Sequence, residues 1–168
     1  MKTRCSGCGV DLEFIVGPTD PYQCSTAACW ATYNQLMAID FAGTGYFAVH
    51  RLVNDTYMSQ HPSNISRASI QSVWVHLVAL YLTLEKQLPS YVVMRVMENI
   101  TAPRQQFEWL TPPNPNLYKM TVKDLTFVDT IEEHLELSTK WAFEVWNKWN
   151  EHHSKIIQLA NDILGKMK

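Results

Sequence analysis

The chain has 168 residues, 46% of them hydrophobic and 18% charged, with a formal net charge of −2. That balance excludes a disordered chain, which needs low hydrophobicity and high net charge. It also argues against nucleic acid as a partner, because the Lys and Arg residues are scattered and form no run or stripe able to neutralise phosphates.

In chain order, the first 25 residues have closely spaced Gly, Pro and Cys and little periodicity, and Gly17-Pro18 and Asp20-Pro21 punctuate them as turns. Ser25 or Thr26 is placed to cap a helix running to about Ala42, broken by Gly43-Thr44-Gly45. A second helix is predicted from about Tyr46 to Gln60. It stops at His61-Pro62, since the residue before proline avoids helical angles. A third spans about Ser66 to Leu88, and a fourth starts after Pro89-Ser90, with Ser90 as its cap, and fades near Ile100. From Thr101 to Lys119 the four prolines Pro103, Pro112, Pro113 and Pro115 predict a long ordered loop with extended pieces and at most a short edge strand. Thr121 with Asp124 marks a short helix, and Thr130 with Glu133 resembles a capping box. The pattern then stays helical to about Met167, either as one unbroken helix about 55 Å long or with a bend near His152-His153-Ser154. The sum is a mainly α chain: one domain over 1–168, with a small zinc-knuckle lobe at 1–29 and a helical bundle at 30–168.

No stretch approaches the roughly 20 apolar residues of a membrane helix, and the opening residues carry no apolar run of a secretory leader. The expected compartment is the cytoplasm, where thiols stay reduced and cysteines serve more often as metal ligands than in disulfides.

All four cysteines fall in the first 29 residues, as Cys5-x2-Cys8 and, after a 15-residue gap, Cys24-x4-Cys29. Glycines at Gly7 and Gly9 let the backbone turn so that two sulfurs face one point. Cys29 falls at a helix start, where the dipole favours thiolate. The spacing predicts one structural zinc on Cys5, Cys8, Cys24 and Cys29. Two disulfides, redox chemistry or incidental burial are the competing readings. Four thiolates would leave no open position for catalysis.

The six histidines form no i, i+3 or i, i+4 pair, and HExxH is absent. His50 and His61 share a helix face but are separated by roughly 16 Å along the axis. A second metal or acid–base site would need different helices to donate one group each, as bundles can do. The candidates are His50, Tyr57, His61 and His76, with Glu133 as a carboxylate. His134, His152 and His153 read as solvent-exposed. Trp141, Trp146 and Trp149 follow helical spacing and read as core, with a partner-docking stripe as the sharper alternative.

The sequence resembles a family of bacterial proteins of unknown function. The resemblance is carried by Cys5-Ser-Gly-Cys8-Gly, Cys29-Trp30, Phe47-Ala-Val-His50-Arg51, Gln60-His61-Pro62, Ser69-Ile-Gln71-Ser72 before His76-Leu77, Trp109-Leu110 before Pro112-Pro113, and Trp149 to His153. It implies one domain with Cys5, Cys8, Cys29, His50, His61 and His76 in motif positions. Cys24 falls outside the shared pattern, so a nearby residue or a water could stand as the fourth ligand. The resemblance supplies no reaction.

Two functions from different classes follow. One is a zinc-stabilised helical protein that binds a protein or small-molecule ligand, or regulates. The other is a metal-dependent enzyme, a hydrolase for instance, with a second histidine site between helices. No Gly-rich phosphate loop, GxSxG or dinucleotide fingerprint favours the second.

Overall fold

The computed structural model describes residues 1–43, 45–101 and 106–167. Thr44, within the predicted helix break, and 102–105, which include Pro103 of the predicted loop, lie outside the described residues, as does Lys168.

The chain opens with a two-stranded antiparallel hairpin. In it β1 (Lys2–Arg4) pairs with β2 (Asp11–Glu13), in the register Lys2 with Glu13 and Arg4 with Asp11. The connection folds back on itself, with Cys5 N–H donating to the Val10 carbonyl and Gly9 N–H to that of Cys5, both at 2.9 Å. Gly9 has φ +76°, and a Cβ there would stand 2.8 Å from the Pro115 carbonyl oxygen, so glycine is required on both counts.

Among the described residues six α-helices follow. They are α1 (Ala27–Ala42), α2 (His50–Gln60), α3 (Arg67–Leu84), α4 (Ser90–Thr101), α5 (Ile131–Lys148) and α6 (His153–Lys166). Three of their starts are set by side-chain caps, those at Thr26 and Thr130 as predicted. Thr26 accepts from Cys29 N–H, Ser66 from Ser69 N–H and Thr130 from Glu133 N–H. The full reciprocal capping box forms at Thr121–Asp124, ahead of a single 3₁₀ turn at Val122–Leu125.

Several elements differ from expectation: α3 ends at Leu84, four residues short of the predicted stop, and Ser90 lies within α4 instead of capping it. The second helix is preceded by a 3₁₀ turn at Tyr46–Ala48 and becomes α-helical only at His50. Residues 106–119 contain no strand; their structure is a loop with one 3₁₀ turn at Pro115–Leu117. That loop is fastened by the Trp74 indole N–H donating to the Glu108 carbonyl at 2.9 Å and by burial of Leu110. The C-terminal helical stretch is not one unbroken helix: it breaks at Trp149, three residues before the bend that was the alternative. His153 explains the position. Its Nε2 bonds the Trp146 carbonyl at 2.9 Å, and its ring stacks on Trp146 with centroids 3.7 Å apart. His152 likewise donates to the Thr111 carbonyl, so both histidines tie the fold together instead of facing solvent freely.

Helix α2 lies between α3 and α5, and α3 also packs against α4 and α6. Trp141, Trp146 and Trp149 are fully buried, so the tryptophan stripe is core. Each indole N–H has an acceptor: Gln60 Oε1 for Trp141, Glu85 Oε1 for Trp146 and the Ser59 carbonyl for Trp149. These bonds remove the cost of burying a polar atom alongside a large apolar surface. Two of the three acceptors, Gln60 and Ser59, stand at the C-terminal end of α2. The tryptophans therefore also hold the place from which His61 projects.

Candidate metal centre

Four side chains from three separate segments meet between the hairpin and the helices. Cys5 and Cys8 come from the β1–β2 connection, Cys29 from the first turn of α1, and His61 from the residue that caps the C-terminus of α2. Their donor atoms all lie within 4.8 Å of one another, and each residue is 1% exposed or less. Cys29 Sγ is 3.8 Å from Cys8 Sγ and 3.3 Å from His61 Nε2. Among the described residues, no other set of three or more Cys, His, Asp or Glu donors converges in this way.

The surroundings fix each donor. Pro62 ends α2 at His61. His61 Nδ1 stands 2.7 Å from the Tyr57 carbonyl oxygen. A carbonyl only accepts, so Nδ1 carries the hydrogen and Nε2 presents its lone pair to the sulfurs. Tyr57 stacks on the imidazole at 4.0 Å and directs its hydroxyl to Cys29 Sγ at 3.6 Å. Tyr33 stacks in turn on Tyr57. Gly7 gives the knuckle its closeness to α2, since a Cβ there would come within 2.9 Å of the Cys24 carbonyl oxygen and collide with His61.

The four donors compete for the same protons. The Cys5 thiol is held far below the usual range by hydrogen bonds from Cys29 and Cys8. Giving its proton toward Cys5 pushes Cys29 up to about 12. Burial opposes charge on His61, yet its bonds and proximity to Cys5 and Cys8 outweigh burial and raise it to about 10. A divalent ion bound among the four donors would replace these protons as the neutralising charge. Three sulfurs and an imidazole nitrogen at this separation form a Cys3His metal-binding group.

Cys24 is not a member of the group, and His61 holds the fourth place. Cys24 precedes the Thr26 cap, in extended chain outside α1, and contributes through its backbone. Its N–H donates to the His61 carbonyl at 3.1 Å and its carbonyl accepts from Ser6 Oγ at 2.9 Å. Burial raises its thiol to about 11.

The histidines proposed for a second site do not gather. His61 and Tyr57 belong to the sulfur group. His50 lies between Phe41 and Phe47, with ring centroids at 4.8 and 4.7 Å. His76 bonds Asp55 at 2.7 Å. His134, expected at the surface, is fully buried with its Nε2 2.8 Å from Asp40 Oδ1, because α1 supplies the carboxylate it faces. Sequence spacing gave no signal for Asp40 or Asp55 as partners.

Burial favours the neutral form of both members of that pair, raising Asp40 to about 7 and lowering His134. An acid raised in the folded state contributes stability that is complete below its unfolded value of 3.8 and lost as pH rises through about 7. His134, being lowered, acts in the opposite sense around its ordinary 6.5. Asp40→Asn is therefore expected to remove the decline in stability between those two carboxyl values. Urea midpoints at several pH values check this, and an unchanged slope contradicts it.

Comparison with protein-family models matches residues 3–150. The chain belongs to a family of unknown function (DUF5946). All four members of the Cys3His group lie within the matched residues, as do the Asp40–His134 and Asp55–His76 pairs. No curated protein and no solved structure matches the chain.

Proposed function

We propose that this protein is a zinc-stabilised helical protein, with one structural zinc ion on Cys5, Cys8, Cys29 and His61, and that its role is binding or regulation. The observation that carries this reading is the convergence of four buried donors within 4.8 Å of one another. Three thiolates and an imidazole suit zinc by softness and by tetrahedral number. Four protein ligands leave no position for water or substrate, so the ion joins the hairpin to α1 and α2 and does no chemistry. A reducing compartment such as the cytoplasm keeps the thiols available as ligands. The partner is a protein or a small molecule. Among the described residues, no helix is long and apolar enough to cross a membrane.

Chelation tests the reading. Removing the metal with a strong chelator should lower the melting temperature and loosen the hairpin, and adding zinc should restore both. Zinc affinity should fall as pH falls, because protons compete for the same sulfurs. A metal-free chain that melts at the same temperature as the loaded one contradicts a structural role.

A further inference from the structure

A recess of about 400 Å³, within the range that holds a small molecule, lies where the proline-rich loop meets the junction of α5 and α6. One wall is the loop, from Thr111 to Leu117. The other is the end of α5 and the 3₁₀ turn Asn150–His152. His152 clasps the two together, its Nε2 donating to the Thr111 carbonyl at 2.9 Å. Pro112-Pro113 and the stretch from Trp149 to His153, which carry part of the family resemblance, contribute to these walls, and the metal centre uses neither.

The lining is polar, accessible and without net charge. Asn147 and Asn150 stand three residues apart across the break at Trp149, and both are exposed. Among the described residues neither side-chain amide is hydrogen-bonded within the chain, so each keeps an acceptor oxygen and two N–H donors. On the loop wall, Asn114 Oδ1 accepts from Asn116 N–H at 3.0 Å, which leaves its Nδ2 to donate. A single unspent amide is ordinary at a surface. Three on one concavity, from two walls held together by a hydrogen bond, are a set able to grip a ligand. Lys148 and Glu151 are the charged members of the lining, and they cancel, so a net charge on the ligand gains nothing. Pro112, Pro113 and Leu117 add apolar surface on the loop side, with Leu117 55% exposed.

We infer that this recess binds a neutral sugar of hexose size. A pyranose carries hydroxyls around its rim, each both donor and acceptor, and C–H groups on its faces. The hydroxyls match the asparagine amides, and a C–H face matches the proline and leucine surface. A wholly apolar ligand would strip water from the amides and replace it with nothing, at a cost in affinity. The inference rests on the binding role proposed above and places it apart from the zinc ion.

The test titrates the purified full chain, isotope-labelled for NMR, with the methyl glycosides of glucose, galactose and mannose. At least one is expected to shift the side-chain amide resonances of Asn147 and Asn150 in a saturable way. Glucuronate and glucosamine, which add a negative or a positive charge to the same kind of ring, should bind no more tightly. Asn147→Ala and Asn150→Ala should each weaken binding about threefold to tenfold, the loss of one neutral hydrogen bond, with melting temperature and zinc content unchanged. If one variant does not fold, the other and the natural chain decide. No saturable shift with any of the three glycosides up to roughly 50 mM, an affinity unchanged in the variants, or tighter binding of glucuronate or glucosamine overturns the inference. Zinc is counted on the same sample: a chain with one zinc and no sugar binding overturns this inference alone, whereas sugar binding by a chain without zinc overturns only the structural metal.

Discussion

The His61→Ala variant is expected to lose its zinc and to be largely unfolded at room temperature, whereas Cys24→Ala should keep both metal and stability. The contrast follows from geometry. His61 is fully buried with Nε2 3.3 Å from Cys29 Sγ, while Cys24 lies outside the group and acts through its backbone, which alanine preserves. A structural zinc contributes on the order of 10–16 kcal/mol of binding free energy at neutral pH. The net stability of a domain is only about 5–15 kcal/mol, so even partial loss of the zinc contribution is enough to unfold it. Removing His61 also frees the Tyr57 carbonyl and one face of the aromatic stack. Metal content and thermal melts of the two variants check this. Equal zinc content in both, or loss from Cys24→Ala alone, contradicts the assignment.

The second large effect is expected at Trp149. Trp149→Ala should cost roughly 3–5 kcal/mol, the range for emptying a buried aromatic site. It is fully buried, and its indole N–H donates to the Ser59 carbonyl at 3.1 Å at the C-terminal end of the α2 ladder. Trp149→Phe should cost clearly less, because it keeps most of the volume and gives up one hydrogen bond, worth about 1 kcal/mol. Because Ser59 is two residues from His61, zinc should also leave Trp149→Ala faster. Urea titration measures the stabilities and a chelator competition the release. A Trp149→Ala loss below about 1 kcal/mol would contradict a core role.

Much of this fold was readable locally. Thr26, Ser66, Thr121 and Thr130 announced helix starts, and Pro62 announced where α2 must end. Such signals act within a few residues, so one sequence suffices to see them. Three members of the metal-binding group were readable for the same reason, from the knuckle at Cys5 and Cys8 and the helix start at Cys29. The fourth was not readable from spacing. His61 arrives 32 residues after Cys29 through the packing of α2, whereas Cys24 looked suitable only because it is near in sequence. The resemblance had placed His61 among its motif positions without giving it a role. His134 and His76 show the same limit: their environments are set by Asp40 on α1 and Asp55 on α2, and no periodicity along one helix reveals a partner on another. The end of α5 at Trp149 depended on His153 folding back on Trp146, again a contact that only the three-dimensional packing defines.

A single structural zinc on Cys5, Cys8, Cys29 and His61, as proposed above, sets the metal content of the chain. Elemental analysis of the purified, untagged chain, counting every metal per molecule, tests it most directly. One zinc per chain and no second metal, falling to none in His61→Ala and staying at one in Cys24→Ala, is the predicted result. A chain that folds with no metal bound, or one whose zinc survives in His61→Ala, would contradict it.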